Sequence, residues 1–346
     1  FVEFQNHKRR IDWNFLYLRQ ERSRTDIVPH YNPAVSADSF GNEQLAKTVM
    51  NYFQISASYP FNKFESLKLH VAFRKDALNY KAQDTFSLSY PAVDNKQFWA
   101  VSRLEYVFDN TSNPTINIYE GFRYKFYGEY MYKMDSPTSG FFNLGTDFRY
   151  YKKLYKHITF AIRAAGAHST GKQKVLYFLG GVDNEIGAKY NNNTPVRAGE
   201  QYGFQALSTN MRGYERNSYN GNTYAMINAE FRVPIITSLV KRPIQSPILR
   251  NLQMVPFCDI GSAWYGFWPT DPNVANDYYY PTGKRIGSSA AKVLLKIEDE
   301  KNLFAVGYGV GLRTMLFGYF VRGDVAWNIE NHIAKPLLHF SIGTDF

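Results

Sequence analysis

Hydrophobic and polar residues alternate along most of the chain with a period of two. In one segment Leu67, Leu69, Val71 and Phe73 are separated from one another by polar or small residues. Because side chains of a β-strand point alternately to its two faces, this pattern predicts strands with one apolar and one polar face. It predicts twelve full strands, beginning near residues 11, 53, 67, 104, 122, 140, 157, 222, 251, 303, 317 and 336. No segment has a convincing helical period.

The connections between these strands alternate in length. Long connections are predicted at 22–44, 81–95, 171–221 and 267–301, and short ones at 62–64, 111–114, 155–156 and 314–316. The connection 237–250 is long for a turn but keeps its place in the alternation. Barrels of the bacterial outer membrane alternate short periplasmic turns with long outer loops. The chain is therefore expected to be an antiparallel transmembrane β-barrel in the all-β class, with its C-terminus on the periplasmic side.

Composition supports a wall in contact with lipid. Aromatic residues make up 17% of the chain, with 27 Tyr and 27 Phe, although the mean hydropathy is −0.39. A polar average with an aromatic excess is expected when each strand turns one face to lipid, between aromatic girdles, and the other to a wet interior. Because no run of about 18 apolar residues occurs, a helical membrane span is excluded.

The strand count predicts further strands. Residues 1–5 have the pattern of the tail of a strand, which brings the total to thirteen. A single-chain bacterial barrel needs an even number of strands, because unpaired backbone groups in lipid cost several kcal/mol each. We expect at least three more strands, either upstream of residue 1 or from another chain.

The formal net charge of +10 bears on the partners. Lys and Arg are scattered singly among the strands rather than clustered, so a nucleic-acid partner is not expected. We expect them to line the lumen and to contact outer-membrane lipid and lipopolysaccharide. Cys258 is the single cysteine, which rules out an internal disulfide, and no metal-ligand spacing or cofactor motif is evident.

One loop tetrapeptide predicts a buried ion pair. Met211-Arg212-Gly213-Tyr214 lies within the longest connection, 171–221. An arginine on a loop that folds into a barrel loses its water and must meet carboxylates. The parity of the strands points three acidic residues inward as candidate partners of this arginine: Asp259, Glu230 and Asp324.

A row of glycines follows on one inward face, at positions 307, 309 and 311. Their missing side chains leave room for a folded-in loop, or they permit strong curvature of the sheet. The sequence leaves both interpretations open.

Five motifs in order carry a resemblance to a known family. They are Leu179-Gly180-Gly181 with the Met211 tetrapeptide, Phe257-Cys258-Asp259-Ile260-Gly261 continued by Ser262-Ala263-Trp264, Gly307-Tyr308-Gly309-Val310-Gly311-Leu312-Arg313, Arg322-Gly323-Asp324-Val325-Ala326-Trp327, and the terminal Phe346. Over residues 157–346 the chain resembles the C-terminal barrel of the outer-membrane assembly factor superfamily, of the BamA/TamA-like surface antigen type and closest to the Bacteroidota type. Residues 1–156 match only as a strand pattern. The resemblance implies a sixteen-stranded barrel, with 171–221 folded into the lumen.

The last predicted strand carries the expected seam between the two ends of the barrel wall. Alternation places Phe340 and Phe346 outward, together with Leu338, Ile342 and Thr344. A terminal aromatic on this pattern resembles the signal by which the insertion machinery takes up its clients. Gly343 would let the strand bend and weaken the seam, which in family members is a lateral gate. A plain closing strand is the alternative.

The function expected from these features is membrane-protein insertion or polypeptide translocation through the lateral seam, without covalent chemistry. The expected partners are client or partner membrane proteins and other subunits of a surface complex. Two alternatives are a structural scaffold barrel within such a complex and a solute channel. A hydrolytic barrel is not expected, because adjacent residues such as His168 and Ser169 point to opposite faces of a strand.

Overall fold

The fold is taken from a computed structural model of the 346-residue chain. The structure describes residues 1–8, 10–30, 40–81, 94–136, 139–155, 158–191, 194, 196–197, 201–240, 242, 244–269, 277–278, 295–296, 302–330 and 335–346.

Strands account for nearly all the regular structure. They are β1 (Val2–Asn6), β2 (Asp12–His30), β3 (Phe40–Pro60), β4 (Glu65–Lys81), β5 (Asn95–Asp109), β6 (Ser112–Thr115), β7 (Ile118–Lys133), β8 (Phe141–Tyr155), β9 (Ile158–Gly171), β10 (Gln173–Leu179), β11 (Gln201–Leu207), β12 (Tyr219–Gly221), β13 (Thr223–Pro234), β14 (Gln253–Trp264), β15 (Asp277–Tyr278), β16 (Leu295–Lys296), β17 (Ala305–Leu316), β18 (Tyr319–Asn328) and β19 (Leu337–Ile342).

One large sheet contains most of these strands. Its order is β1-β2-β3-β4-β5-β7-β8-β9-β13-β14-β17-β18-β19, with β6 paired to β7. The neighbouring pairs on this path from β1 to β4 and from β13 to β19 are antiparallel. The expected all-β antiparallel fold is confirmed, and the path of thirteen strands matches the predicted twelve with β1 as the tail. The further strands of a sixteen-stranded wall stay a prediction.

The chain forms two compact units. The first comprises Phe1–Tyr106 and Tyr127–Phe142. Within it β2 and β3 pair from Asp12↔Ser58 to His30↔Phe40, so the predicted connection 22–44 is wrong and both strands continue into it. Residues 21–26 are all polar, and period-two alternation of apolar and polar residues disappears where both faces of a strand are polar. The predicted connection 81–95 falls largely on residues outside the described ranges.

The second unit comprises Val107–Phe126 and Asn143–Phe346, and it contains the motifs. On β13 and β14 the alternation is regular: Glu230 and Asp259 are buried on one face, while Ile227 and Ile260 are exposed on the other. We call the first face the inner face and the second the outer face. On β17 the outer positions Tyr308, Val310 and Leu312 are likewise exposed. The predicted division into one polar and one apolar face is therefore present in the wall that carries the loop.

One local prediction in this unit is wrong, and one predicted connection has regular structure that the pattern did not show. The short turn expected at 314–316 lies instead at Phe317-Gly318, whose φ angles of 51° and 84° are those of a two-residue hairpin turn. The predicted connection 237–250 does lie between β13 and β14, and it overlaps two short helices, Ile235–Leu239 and Pro247–Arg250. At five and four residues these helices are too short to show a helical period. No helix in the described ranges has the length and apolar character needed to cross a membrane.

The long connection between β9 and β13 has strands that the sequence pattern did not reveal. There β10 pairs in parallel with β11 and antiparallel with β12, forming a separate three-stranded sheet. Leu176 and Leu179 of β10 are completely buried, so this sheet is part of the packed interior of the unit.

A charge on the outer face tests the orientation of the wall. Val310 lies near the middle of β17, on the outer face and 41% exposed. We expect Val310→Lys to lower the free energy of unfolding in lipid vesicles by about 2–4 kcal/mol, because a lysine at the bilayer midplane faces hydrocarbon. Val310→Leu is the control and should leave this free energy nearly unchanged. Equal stability of the Lys and Leu variants would contradict a lipid-facing outer surface.

Candidate functional site: the loop arginine and the last strand

Arg212 of the loop is buried against the inner face of β13 and β14. Its Nε and Nη2 donate to the two carboxylate oxygens of Asp259, both at 2.7 Å, and its Nη1 donates to Oε1 of Glu230 at 2.8 Å. Its backbone N–H also donates to Asp259, and its guanidinium carbon lies 3.7 Å from the ring centroid of Phe257. This two-pronged geometry fixes both the position and the direction of the arginine.

The charge on Arg212 is secured by its surroundings. The residue is only 2% exposed, and burial alone would lower the pKa of its guanidinium. The carboxylates of Asp259 and Glu230 more than offset this effect and raise that pKa well above its ordinary value. Arg212 is therefore a permanent cation inside the protein.

Glu230 also binds a second arginine, Arg232, on the same strand β13. Its Oε2 accepts from Nε of Arg232 at 3.0 Å, so one carboxylate joins two arginines. The third candidate partner, Asp324, does not contact Arg212. It lies instead 2.8 Å from Nη2 of Arg313 on the neighbouring strand β17. Parity alone could place the three acids on one face, but it could not say which would reach the arginine.

The two neighbours of Arg212 approach the wall closely. Gly213 has a φ of +87°, and a Cβ placed there would lie 2.5 Å from the carbonyl oxygen of Trp327. A Cβ added at Gly307 would lie 1.9 Å from the carbonyl oxygen of Arg212. Gly307 therefore leaves room for the loop, which decides between the two interpretations of the glycine row at this position. Met211 is completely buried.

Tyr214, the last residue of the tetrapeptide, is joined to β17 through the backbone of Val306. The amide N–H of Val306 donates to its hydroxyl oxygen at 3.1 Å, and the hydroxyl lies 3.4 Å from the carbonyl of the same residue. Burial, with the nearby carboxylate of Glu330, raises the pKa of Tyr214. The phenol therefore stays protonated and able to donate.

A second buried group, the terminal cluster, consists of Asn117, Arg232, Arg313, Asp345 and Phe346. Arg313 Nε donates to Oδ2 of Asp345 at 2.9 Å, and Arg232 Nη2 donates to the main-chain oxygen of Phe346 at 2.9 Å. Asn117 Nδ2 donates to Asp345, whose amide N–H donates back to Asn117 Oδ1, each at 2.9 Å. These contacts hold the last two residues against the inner face.

The predicted outward position of Phe346 is wrong. Phe346 is 7% exposed and packs with the buried residues Tyr151 and Ala161, while Arg232 lies 5.0 Å from its ring centroid. The cause is Gly343, whose φ of +128° interrupts the extended backbone just after β19 ends. Period-two alternation applies only as long as the strand continues.

Sequence reasoning missed most of the terminal cluster. Asn117 is completely buried in the turn between β6 and β7 and has a φ of 64°. Asparagine tolerates this left-handed conformation, so the signal was a turn residue, and nothing in the sequence linked that turn to the chain terminus. Arg313 and Asp345 were recognisable as inward by parity, but their pairing was not.

The last strand β19 has one edge paired with β18 and another that faces away from it, which we call the far edge. Gly343 N–H donates to the carbonyl of Phe320, which makes this a hydrogen-bonded pair of the antiparallel ladder. In an antiparallel ladder, such pairs alternate with pairs whose N–H and C=O groups point away from the partner strand. Phe340 and Leu338, which lie opposite Gly323 and Val325, belong to this second kind. Their N–H and C=O groups therefore point to the far edge. Phe340 and Leu338 also expose their side chains on the outer face.

The adjacent pair His168 and Ser169 lies on β9 and has structural partners. His168 Nδ1 is 2.6 Å from Thr223 Oγ1, and Ser169 Oγ accepts from the amide N–H of Val175 at 2.9 Å. The two side chains are thus engaged with different neighbours rather than with each other.

The antiparallel sheet with one polar and one apolar face, and the loop buried against the polar face, define a β-barrel of the outer-membrane type. The chain belongs to the Omp85 superfamily, because the model of the Omp85 superfamily domain matches residues 13–346. The predicted resemblance is confirmed at the level of this family, whose barrels are non-enzymatic and reside in the bacterial outer membrane.

Two solved structures are similar in fold. The crystal structure of BamA from Haemophilus ducreyi lacking POTRA domains 1–3 matches with a TM-score of 0.52 and 13% identity, covering 97% of this chain and 62% of that one. CdiB from Acinetobacter baumannii matches with a TM-score of 0.51 and 10% identity, covering 98% of this chain and 48% of that one. The chain thus spans less than two thirds of the length of each of these proteins. No curated protein matches the sequence.

Removing the loop cation should release the loop. We expect Arg212→Ala to cost about 3–5 kcal/mol in unfolding free energy, because Asp259 and Glu230 would remain buried without their partner. Limited proteolysis of the folded protein should then cut within 171–221. The exposed Lys189→Ala in the same loop is the control and should resist cleavage like the wild type. A protease-resistant loop in the Arg212→Ala variant would contradict the anchoring role.

The space left by Gly307 should be indispensable to the loop. We expect Gly307→Ala to displace the loop, since the new methyl group would overlap the carbonyl oxygen of Arg212. Gly323→Ala on β18 is the matched control, because its Cβ would meet its nearest atom at an ordinary 4.0 Å. The same proteolysis assay compares the two. If both variants resist equally, the close approach at Gly307 is not required.

Proposed function

We propose that this chain is the barrel of a membrane machine that inserts membrane proteins or translocates polypeptides through a lateral seam beside β19. The observation that supports this most directly is the short ladder of the last strand. All ten residues of β18 pair with β17, whereas β19 pairs with β18 over only six. A strand with fewer ladder bonds is easier to separate from its neighbours.

Substrate binding in this proposal is strand addition. The backbone groups of Leu338 and Phe340 that point to the far edge of β19 would pair with an extended segment of the client chain. Backbone pairing accepts many sequences, while alternating apolar and polar side chains on the client would match the two faces of the wall. No bond is made or broken in the client.

The proposed partners follow from this reaction. They are client or partner membrane proteins, outer-membrane lipid and lipopolysaccharide around the apolar face, and further subunits of a surface complex. Membership of the Omp85 superfamily supports interaction with clients and subunits. The Bacteroidota type and the lateral mechanism are part of the proposal.

A structural barrel within a larger surface complex is the second candidate. It is favoured by the permanence of the loop anchor, because Arg212 makes four hydrogen bonds to two carboxylates and a cation–π contact with one aromatic ring. Arg212 also lies buried in the second unit. A loop fixed in this way suits a plugged scaffold as well as a machine whose moving part is the last strand.

Substitution at the far edge tests the favoured function. Leu338→Pro removes one N–H that points to the far edge. The ladder to β18 stays intact, because proline is tolerated where the N–H does not pair with the neighbouring strand. The natural full-length protein would be reconstituted in lipid vesicles, and the folding rate of an added unfolded outer-membrane barrel followed by its shift in gel mobility. We expect acceleration over protein-free vesicles, reduced severalfold by Leu338→Pro and retained by Leu338→Ala.

The other outcomes separate the alternatives. A protein that fails to accelerate folding of the added barrel and shows no steady conductance in planar bilayers would favour the scaffold. A steady ion conductance without acceleration would favour a solute channel. Acceleration that is equal for Leu338→Pro and Leu338→Ala would argue against strand addition at this edge.

A further inference from the structure

A short segment of the loop returns to the far edge of the last strand. The amide N–H of Ile186 donates to the carbonyl of Phe340 at 2.8 Å, and Glu185 forms an antiparallel bridge with Ser341. The carbonyl of Phe340 is one of the groups that point away from β18. Ile186 therefore occupies a backbone acceptor to which an added strand would bind. We call residues 183–187 the edge cap.

Side chains strengthen this contact on the inner face. Glu185 Oε1 lies 2.7 Å from Nδ1 of His339, and the Glu185 side chain is only 7% exposed. Arg322 Nη2 of β18 donates to Oδ1 of Asp183 at 2.7 Å. The edge cap is thus joined both to the last strand and to the strand before it.

The backbone of the edge cap is shaped for this position. Asn184 has a φ of 51° and Gly187 a φ of 70°, so a tight turn lies on each side of Glu185 and Ile186. The amide N–H of Val182 donates to Glu185 Oε2 at 3.3 Å, so the carboxylate of Glu185 binds the backbone at the start of this turn. Only a short piece of extended chain is presented to β19.

The edge cap is tethered to the arginine anchor. Gly181 pairs with Met211, and the amide N–H of Gly213 donates to Nε2 of His339 at 3.1 Å. His339 accordingly touches the tetrapeptide through one ring nitrogen and the edge cap through the other. Because Arg212 fixes the tetrapeptide to β13 and β14, the edge cap is held at a set distance from the wall.

We propose that the edge cap is an autoinhibitory contact that substitutes for a client strand at the far edge of β19. The proposal rests on the function proposed above and adds its regulation: an incoming extended segment with alternating apolar and polar residues must displace Ile186 from Phe340. A tethered competitor acts at an effective concentration on the order of millimolar. Segments that pair weakly are therefore excluded, and the edge is covered between clients.

Removing one donor tests the edge cap. Ile186→Pro eliminates the N–H that donates to the carbonyl of Phe340. Proline also requires an extended backbone at the residue before it, and Glu185 already meets this requirement because it forms an antiparallel bridge. Ile186→Ala is the matched control, because it shortens the side chain and keeps the N–H. Both would be made in the natural full-length protein in lipid vesicles, with folding checked by heat-dependent gel mobility.

The probe is a synthetic peptide copying residues 319–328, the natural antiparallel neighbour of β19, with a photoreactive group. Its capture on β19 is read by mass spectrometry, and a scrambled peptide corrects for nonspecific capture. We expect Ile186→Pro to increase capture by about 2- to 10-fold at a subsaturating peptide concentration. This is the change in the binding equilibrium that the net free energy of one hydrogen bond produces. Ile186→Ala should match the wild type.

A disulfide supplies the opposite change and decides the test if the proline variant fails to fold. Glu185→Cys with Ser341→Cys, on a Cys258→Ala background, would lock the antiparallel bridge. Oxidation should lower peptide capture and reduction should restore it. Equal capture in the oxidised and reduced forms would overturn the proposal.

The outcomes distinguish this inference from the function on which it rests. Capture on β19 that is equal in the wild type and Ile186→Pro would overturn the edge cap and leave strand addition standing. If no variant, including Ile186→Pro, captures the peptide on β19, both the edge cap and the proposed seam fail.

Discussion

The arrangement of the second unit depends on one constraint, a positive charge that has lost its water. Arg212 is permanently charged, so its loop can lie against the wall only where carboxylates replace the lost hydration. Asp259 and Glu230 meet this requirement, and Glu230 in turn faces Arg232. Arg232 then binds the main chain of Phe346. Loop, wall and chain terminus are thereby joined through alternating charges.

Stability alone does not account for such a network. Buried ion pairs can often be replaced by apolar residues without loss of stability, while removal of one partner is costly. What charges provide is direction: a guanidinium that must meet two carboxylates has a single productive position, whereas an apolar side chain would accept several. We infer that the network specifies where the loop lies, and that Gly307 and Gly213 are small because this position brings backbone against backbone.

The sequence predicted the features that repeat and missed those that depend on a single distant contact. Alternation identified thirteen strands on the path and both faces of β13, β14 and β17, because burial repeats every second residue. It placed Asp324 inward but could not show that Arg313 would be its partner. It gave the wrong face for Phe346, because one glycine with positive φ ends the alternation. Polar extensions such as that of β2 were invisible, since neither face is apolar there.

Besides its backbone contact with the edge cap, the last strand is held in two ways that have different consequences. Its ladder to β18 is short, and ladder bonds are lost together when a strand peels away. Its inner-face contacts are discrete: His339 reaches both Gly213 and Glu185, and each contact can be broken without the other. A strand held by few ladder bonds and by separate side-chain contacts stays ordered, yet it can be released in steps. The same loop that is fixed at Arg212 therefore steadies β19 through side chains and through the backbone contact of Ile186, without contributing a full strand to its sheet.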